Sequence, residues 1–110
     1  MNGHEVLQET AILIRRGWCR GADARDCSGN AVAAGDPSAT AWSLLGALAA
    51  VSERAETDLT ALSEALWGIS GVIADSSLDA WNNEPGRSQT ATLRMLAGAS
   101  TSLSEDPPPQ

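Results

Sequence analysis

Two short stretches hold most of the side chains that could do chemistry. The first is Trp18-Cys19-Arg20 with Arg25 and Asp26; the second is Trp81-Asn82-Asn83 with Arg87. A cysteine becomes a nucleophile when a base stands beside it. The only histidine, His4, lies near the start of the chain, so Cys19 reads as a small semi-buried thiol. Amides, guanidinium groups and indole rings can instead build a binding site. Amides donate and accept, arginines read carboxylates, and indoles supply flat apolar surface. If the two stretches converge, Trp18, Cys19, Arg20, Arg25 and Asp26 face Trp81, Asn82, Asn83 and Arg87 across a shared ligand or partner site. The same residue types also lock loops, because Asn bonds locally to backbone and Pro-Gly redirects the chain. Both readings stand at this level.

Other chemistry is excluded by spacing. Asp23, Asp26 and Asp36 do not follow the calcium-loop pattern. Cys19, Cys27 and His4 do not give a zinc spacing. "GWCRG" is neither a phosphate loop nor a dinucleotide fingerprint, and nothing has the pattern of a catalytic triad. Asp75 and Asp79 are four apart, and such a pair is ordinarily solvated. No catalytic residue, metal or cofactor is therefore expected.

The chain has 110 residues, no Phe, no Tyr, four Trp and a net charge of -7; every basic residue is arginine. That length suits one domain. The negative charge argues against nucleic-acid binding and against an anionic membrane surface. It suits a protein partner with a basic surface. No apolar run reaches membrane-spanning length and the N-terminus lacks a secretory pattern, so a cytoplasmic location is expected, with Cys19 and Cys27 as free thiols.

The elements that must position these residues read as helices. Leu7, Ala11, Ile14 and Trp18 recur at helical spacing and predict a first helix over about 3–16, stopped by Gly17. Residues 18–35 are a long irregular connection or a short hairpin, with Trp18-Cys19 opposite Ala31-Val32. "GDPSATAW" predicts a second helix capped by Asp36, starting at Pro37 and running to about Arg54. A third, over about 58–74 with Thr57 as cap, carries the stripe Leu59, Leu62, Leu66, Ile69 and Ile73. A short turn capped by Ser76 or Ser77 leads into "WNNEPG", and Ser88 caps a fourth helix over about 89–99. The fold class is all-α: a compact bundle of about four helices, domain 1–99, with helices 2 and 3 as an antiparallel hairpin. Residues 100–110 read as a disordered Pro-rich tail.

"RRGWCRGADARDCSGNAV", continuing into "DPSATAWSLLGAL", and "LDAWNNEPGRSQTATLRMLAGA" together resemble a family of small proteins from actinobacteria, alphaproteobacteria and their phages. Its members typically read Gly-Trp-Cys-Gln-Gly, then Ala-Arg-Asp with a following Gly, then Trp-Cys-x-x-Gly-Ala-Leu, and finally Trp-Asn-Asp before a Pro-Gly-Arg-Thr helix cap. The resemblance spans residues 15–99. This chain departs from it at Arg20 in place of Gln, Ser43 in place of the second Cys and Asn83 in place of Asp. The last change argues against acid–base or metal chemistry at that motif. The family is a domain of unknown function, so the resemblance implies a fold and a phage-linked setting but no activity.

The expected function is a small acidic binding or regulatory protein from a phage or mobile element, acting by protein–protein interaction. An inhibitor of host defence, such as an anti-CRISPR whose acidic face occupies a basic channel, is its sharpest form. The alternative is a small-molecule-binding protein or enzyme using the Trp/Asn/Arg constellation.

Overall fold

The computed structural model describes residues 2–53, 58–73 and 77–105. The first helix, α1 (Gly3–Arg16), begins in a capping box. The Asn2 side chain accepts from the Glu5 amide at 2.9 Å, and the Glu5 carboxylate accepts from the Asn2 amide at 3.3 Å. Glu5 in the first turn and Arg15 and Arg16 in the last suit the helix dipole. Val6, Leu7, Leu13 and Ile14 form its buried face.

The chain is mixed α/β and not all-α. Three two-residue strands follow α1: β1 (Ala24–Arg25), β2 (Ala31–Val32) and β3 (Ala41–Trp42), in antiparallel order β2-β1-β3. Ala24 pairs with both Val32 and Trp42, and Arg25 with both Ala31 and Ala41. Ala31-Val32 thus does sit in a hairpin, but its partner is β1. Trp18 instead makes a single parallel bridge to Trp42. Strands this short carry too little alternation to show as a period in the sequence.

The sheet also explains why the second helix starts late. The Asp36 carboxylate accepts from the Ser38 amide at 2.8 Å and the Ser38 hydroxyl at 2.7 Å, which closes a local turn rather than capping a helix. Those bonds hold its carboxyl below the usual range. The chain then runs back along β1, and α2 covers only Leu44–Ser52. Its cap is Ser43, whose side chain accepts from the Gly46 amide at 3.0 Å.

The helix α3 (Leu59–Ile73) begins at Asp58, whose carboxylate accepts from the Ala61 amide at 2.8 Å. The expected caps Thr57 and Ser76, with Glu56 and Asp75, lie outside the described residues. α3 does not form a hairpin with α2. It packs mainly on the last helix, α5 (Gln89–Glu105), and also on α1. Its buried face is Ala61, Ala65, Gly68, Ile69 and Ile73, while Leu59 is 81% exposed and Leu66 38%. Ile69 and Ile73 of the expected stripe are thus buried and its leucines are not; small side chains on the inward face let two backbones approach closely. A Cβ on Gly68 would sit 2.7 Å from the Ala99 carbonyl oxygen of α5.

Ser77 caps α4 (Leu78–Asn82), and Ser88 caps α5. Thr92, Met95, Leu96, Ala99 and Leu103 of α5 are buried. The last helix therefore continues six residues past the expected end at 99, and residues 100–105 are not a loose tail. Leu103 supplies apolar anchorage there, and His4 adds a polar tie through Ser100 at 2.9 Å and Ser104 at 3.3 Å. Residues 106–110 lie outside the described ones. Among the described residues, no helix is long and apolar enough to cross a membrane.

Candidate functional site

Asn82 is the centre of the arrangement that joins the two polar stretches. It ends α4 with its side chain fully buried. Its Oδ1 accepts from the Trp18 indole at 2.8 Å and from the Leu44 amide at 3.0 Å. Its Nδ2 donates to the Cys19 carbonyl at 3.1 Å and to Asn83 Oδ1 at 3.3 Å. One side chain therefore ties α4 to the connection after α1 and to the first turn of α2. The donor and acceptor capacity of its amide is filled by these four bonds.

Asn83 continues the tie. Its Oδ1 accepts from the Gly21 amide at 3.1 Å. Its backbone stays at φ -91, so the left-handed residue of the turn is Gly86 (φ 85) and not an asparagine. Arg20 donates to the carbonyls of Asn83 (2.8 Å) and Glu84 and lies 5.8 Å from the Trp18 ring. Arg87 holds the other side of the same turn. Its Nε donates to the Trp81 carbonyl at 2.8 Å, and its guanidinium stacks 3.8 Å from the Trp81 ring centre. Arg25 donates to the carbonyls of Arg20 and Gly29, both at 3.0 Å. Seven of the nine candidates, from Trp18, Cys19 and Arg20 to Trp81, Asn82, Asn83 and Arg87, meet in this clasp. Arg25 braces it through the Arg20 carbonyl.

Asp26 stays apart. Its Oδ1 accepts from the Ser28 and Asn30 amides, both at 2.9 Å, at the far tip of the β1–β2 hairpin. Cys19 and Cys27 are free thiols, Cys19 buried and Cys27 exposed. Burial pushes the Cys19 thiol up; nearby Arg25 lowers it and Asp23 raises it. Its Sγ points to the Ala22 carbonyl at 3.6 Å, and the histidine is engaged at the far end of α5. A protonated, sheltered thiol with no base beside it is a poor nucleophile.

Two further residues matter here: Ser43, noted in the sequence only as a departure from the family pattern, and Gln89, which the sequence does not single out. Ser43, the cap of α2, is buried against the clasp. Gln89 donates to the Ile14 and Arg15 carbonyls at 2.8 and 3.2 Å, closing the end of α1 from α5. Ser43 is a cap-forming residue type, but Asp36-Pro37 upstream is a stronger start signal. Gln89 reaches across 75 positions and leaves no local trace.

Among the described residues, no three His, Cys, Asp or Glu side chains cluster to hold a metal, and no buried polar side-chain atom lacks a partner. Open surface lies elsewhere. A small polar cleft of about 170 Å³ beside the clasp is lined by Asp23, Ser43, Asp79 and Asn83. An apolar cleft of about 280 Å³ runs between α2 and α3, lined by Leu45, Leu48, Leu62, Leu66 and Leu78. No curated protein and no solved structure matches the chain. The model of a family of unknown function, DUF6197, matches residues 2–102, so the chain belongs to that family.

Proposed function

We propose that this chain is a small acidic, non-catalytic binding protein that acts through contact with another protein, in the phage or mobile-element setting that the family resemblance implies. The observation that carries the reading is the contrast between its two surfaces. The polar constellation spends its hydrogen bonds on its own backbone and side chains, whereas the α2–α3 cleft leaves Leu45 and Leu66 facing solvent. Exposed apolar patches on small proteins mark interaction sites. A net charge of -7, with Asp58 and Asp79 next to the ends of α3 and α4, favours a partner that presents apolar side chains among basic ones. Glu53, Glu64 and Asp79 lie on α2's end, against Gly3 and in the cleft beside Asp23. Charges so dispersed favour a protein contact over a continuous mimic of nucleic acid. Ligand binding at the Trp/Asn/Arg clasp is the weaker reading, because a ligand there would have to displace bonds that hold three elements together.

Affinity capture from the natural host, run in parallel on the wild type and a Leu45→Ser/Leu66→Ser double variant, tests the proposal. A protein retained by the wild type, lost from the folded double variant and released by added salt supports it. Equal recovery on both, or none on either, contradicts it.

A further inference from the structure

A further cleft, of about 400 Å³, opens between α1, the β2–β3 connection and α2. Leu13, Trp42 and Ala50 give it an apolar lining. The Trp42 ring is fixed there by its Nε1, which donates to the Ala34 carbonyl at 3.1 Å. Arg16 and Glu53 contribute opposite charges to the same cleft, both on exposed residues. Neither makes an ion pair or side-chain hydrogen bond with another described residue, and they do not pair with each other. The Glu53 carboxylate lies against Gly35, where any Cβ would collide with it. Asp36, also in the lining, has committed its Oδ1 to Ser38. Asp36 stays ionised, so the cleft carries one guanidinium, Arg16, and two carboxylates; Asp36 is held by Ser38, while Glu53 has no ion-pair or side-chain hydrogen-bond partner among the described residues.

Opposite charges that share a cleft without neutralising each other suit a molecule that bridges them. A guanidinium binds a carboxylate through two parallel hydrogen bonds. A carboxylate binds an ammonium group as a charge-assisted pair. The volume lies within the range of small-molecule sites, which combine apolar walls with a few orienting polar groups. We propose that this cleft binds a small zwitterion of the α-amino-acid class, its carboxylate on Arg16, its ammonium on Glu53 and an apolar side chain on Trp42. The site lies on the opposite edge of α2 from the leucine cleft and goes beyond the partner-binding role.

The test is calorimetric titration of the full chain with L-leucine, leucinamide and N-acetyl-L-leucine. Leucinamide lacks the carboxylate, and N-acetyl-L-leucine lacks the ammonium. L-leucine should bind and quench or shift Trp42 emission, and each analogue should bind at least about tenfold more weakly, roughly 1.4 kcal/mol. Arg16→Ala should melt as the wild type does, since Arg16 has no ion-pair or side-chain hydrogen-bond partner among the described residues, and should bind L-leucine at least about tenfold more weakly. Should that variant fail to fold, Glu53→Gln is read in its place with the same expected loss. No binding of L-leucine at millimolar concentration, equal binding of all three compounds, or undiminished binding by the folded variant would each overturn the proposal.

Discussion

Asn82 shows how one buried amide can substitute for a larger core. Asn82 lies 64 positions from Trp18 and 63 from Cys19, and its buried side chain hydrogen-bonds to both. Its neighbours should behave accordingly. Trp81 is 9% exposed, so Trp81→Ala should cost about 3–5 kcal/mol in chemical denaturation. Arg87 is not a bystander, since it caps the Trp81 carbonyl and stacks on the same ring. Arg87→Ala should cost about 1–2 kcal/mol, and Arg87→Lys should restore little of it, because an ammonium lacks the planar face and the Nε donor. At Cys19 the thiol is raised by burial relative to the unfolded chain. Its contribution to stability is therefore complete below the ordinary thiol range and lost as pH rises through the raised value. Timed alkylation of the native protein should give one fast adduct, at exposed Cys27, and a second only on unfolding; two fast adducts would show that Cys19 is not sheltered.

At the scale of elements, α3 separates hydrophobic pattern from burial. Its leucines repeat at helical spacing, yet the side that enters the core is the side with Ala61, Ala65 and Gly68. Ile69, 1% exposed, should therefore lose about 2–5 kcal/mol as Ala, while Leu66→Ala should lose less than about 1 kcal/mol. Parallel denaturant titrations check the order, and a larger loss at Leu66 would return the leucine stripe to the core. Gly68→Ala should destabilise by about 1–3 kcal/mol, because its Cβ would press on the Ala99 carbonyl and part α3 from α5. These are also the places where the sequence misleads. The first helix was legible because cap, stripe and terminal charges agree. The second was misread because Asp36-Pro37 is as good a turn as it is a helix start, and only the pairing with β1, many residues away, decides between them. The sheet is legible only as a possible hairpin over 18–35 that contains Ala31-Val32; β1 as its partner and β3 are not, because each strand is two residues long.

At the scale of the whole molecule, the chain joins a helical layer of α1, α3 and α5 to a loop-and-strand layer that carries α2 and α4. The convergence of residues 18–20 with 81–87 was legible because both segments concentrate Trp, Asn and Arg amid Ala and Leu. That they lock loops was one of two readings open in the sequence, since a hydrogen bond to backbone and one to a ligand call for the same side chains. The central claim is that Asn82 is the structural pin of this second layer. Equilibrium denaturation of Asn82→Ala tests it most directly. The substitution strands the buried Leu44 amide, the Trp18 indole and the Cys19 carbonyl, so the expected loss is about 2–4 kcal/mol. A loss below about 0.5 kcal/mol, the range of an ordinary surface substitution, would contradict the account.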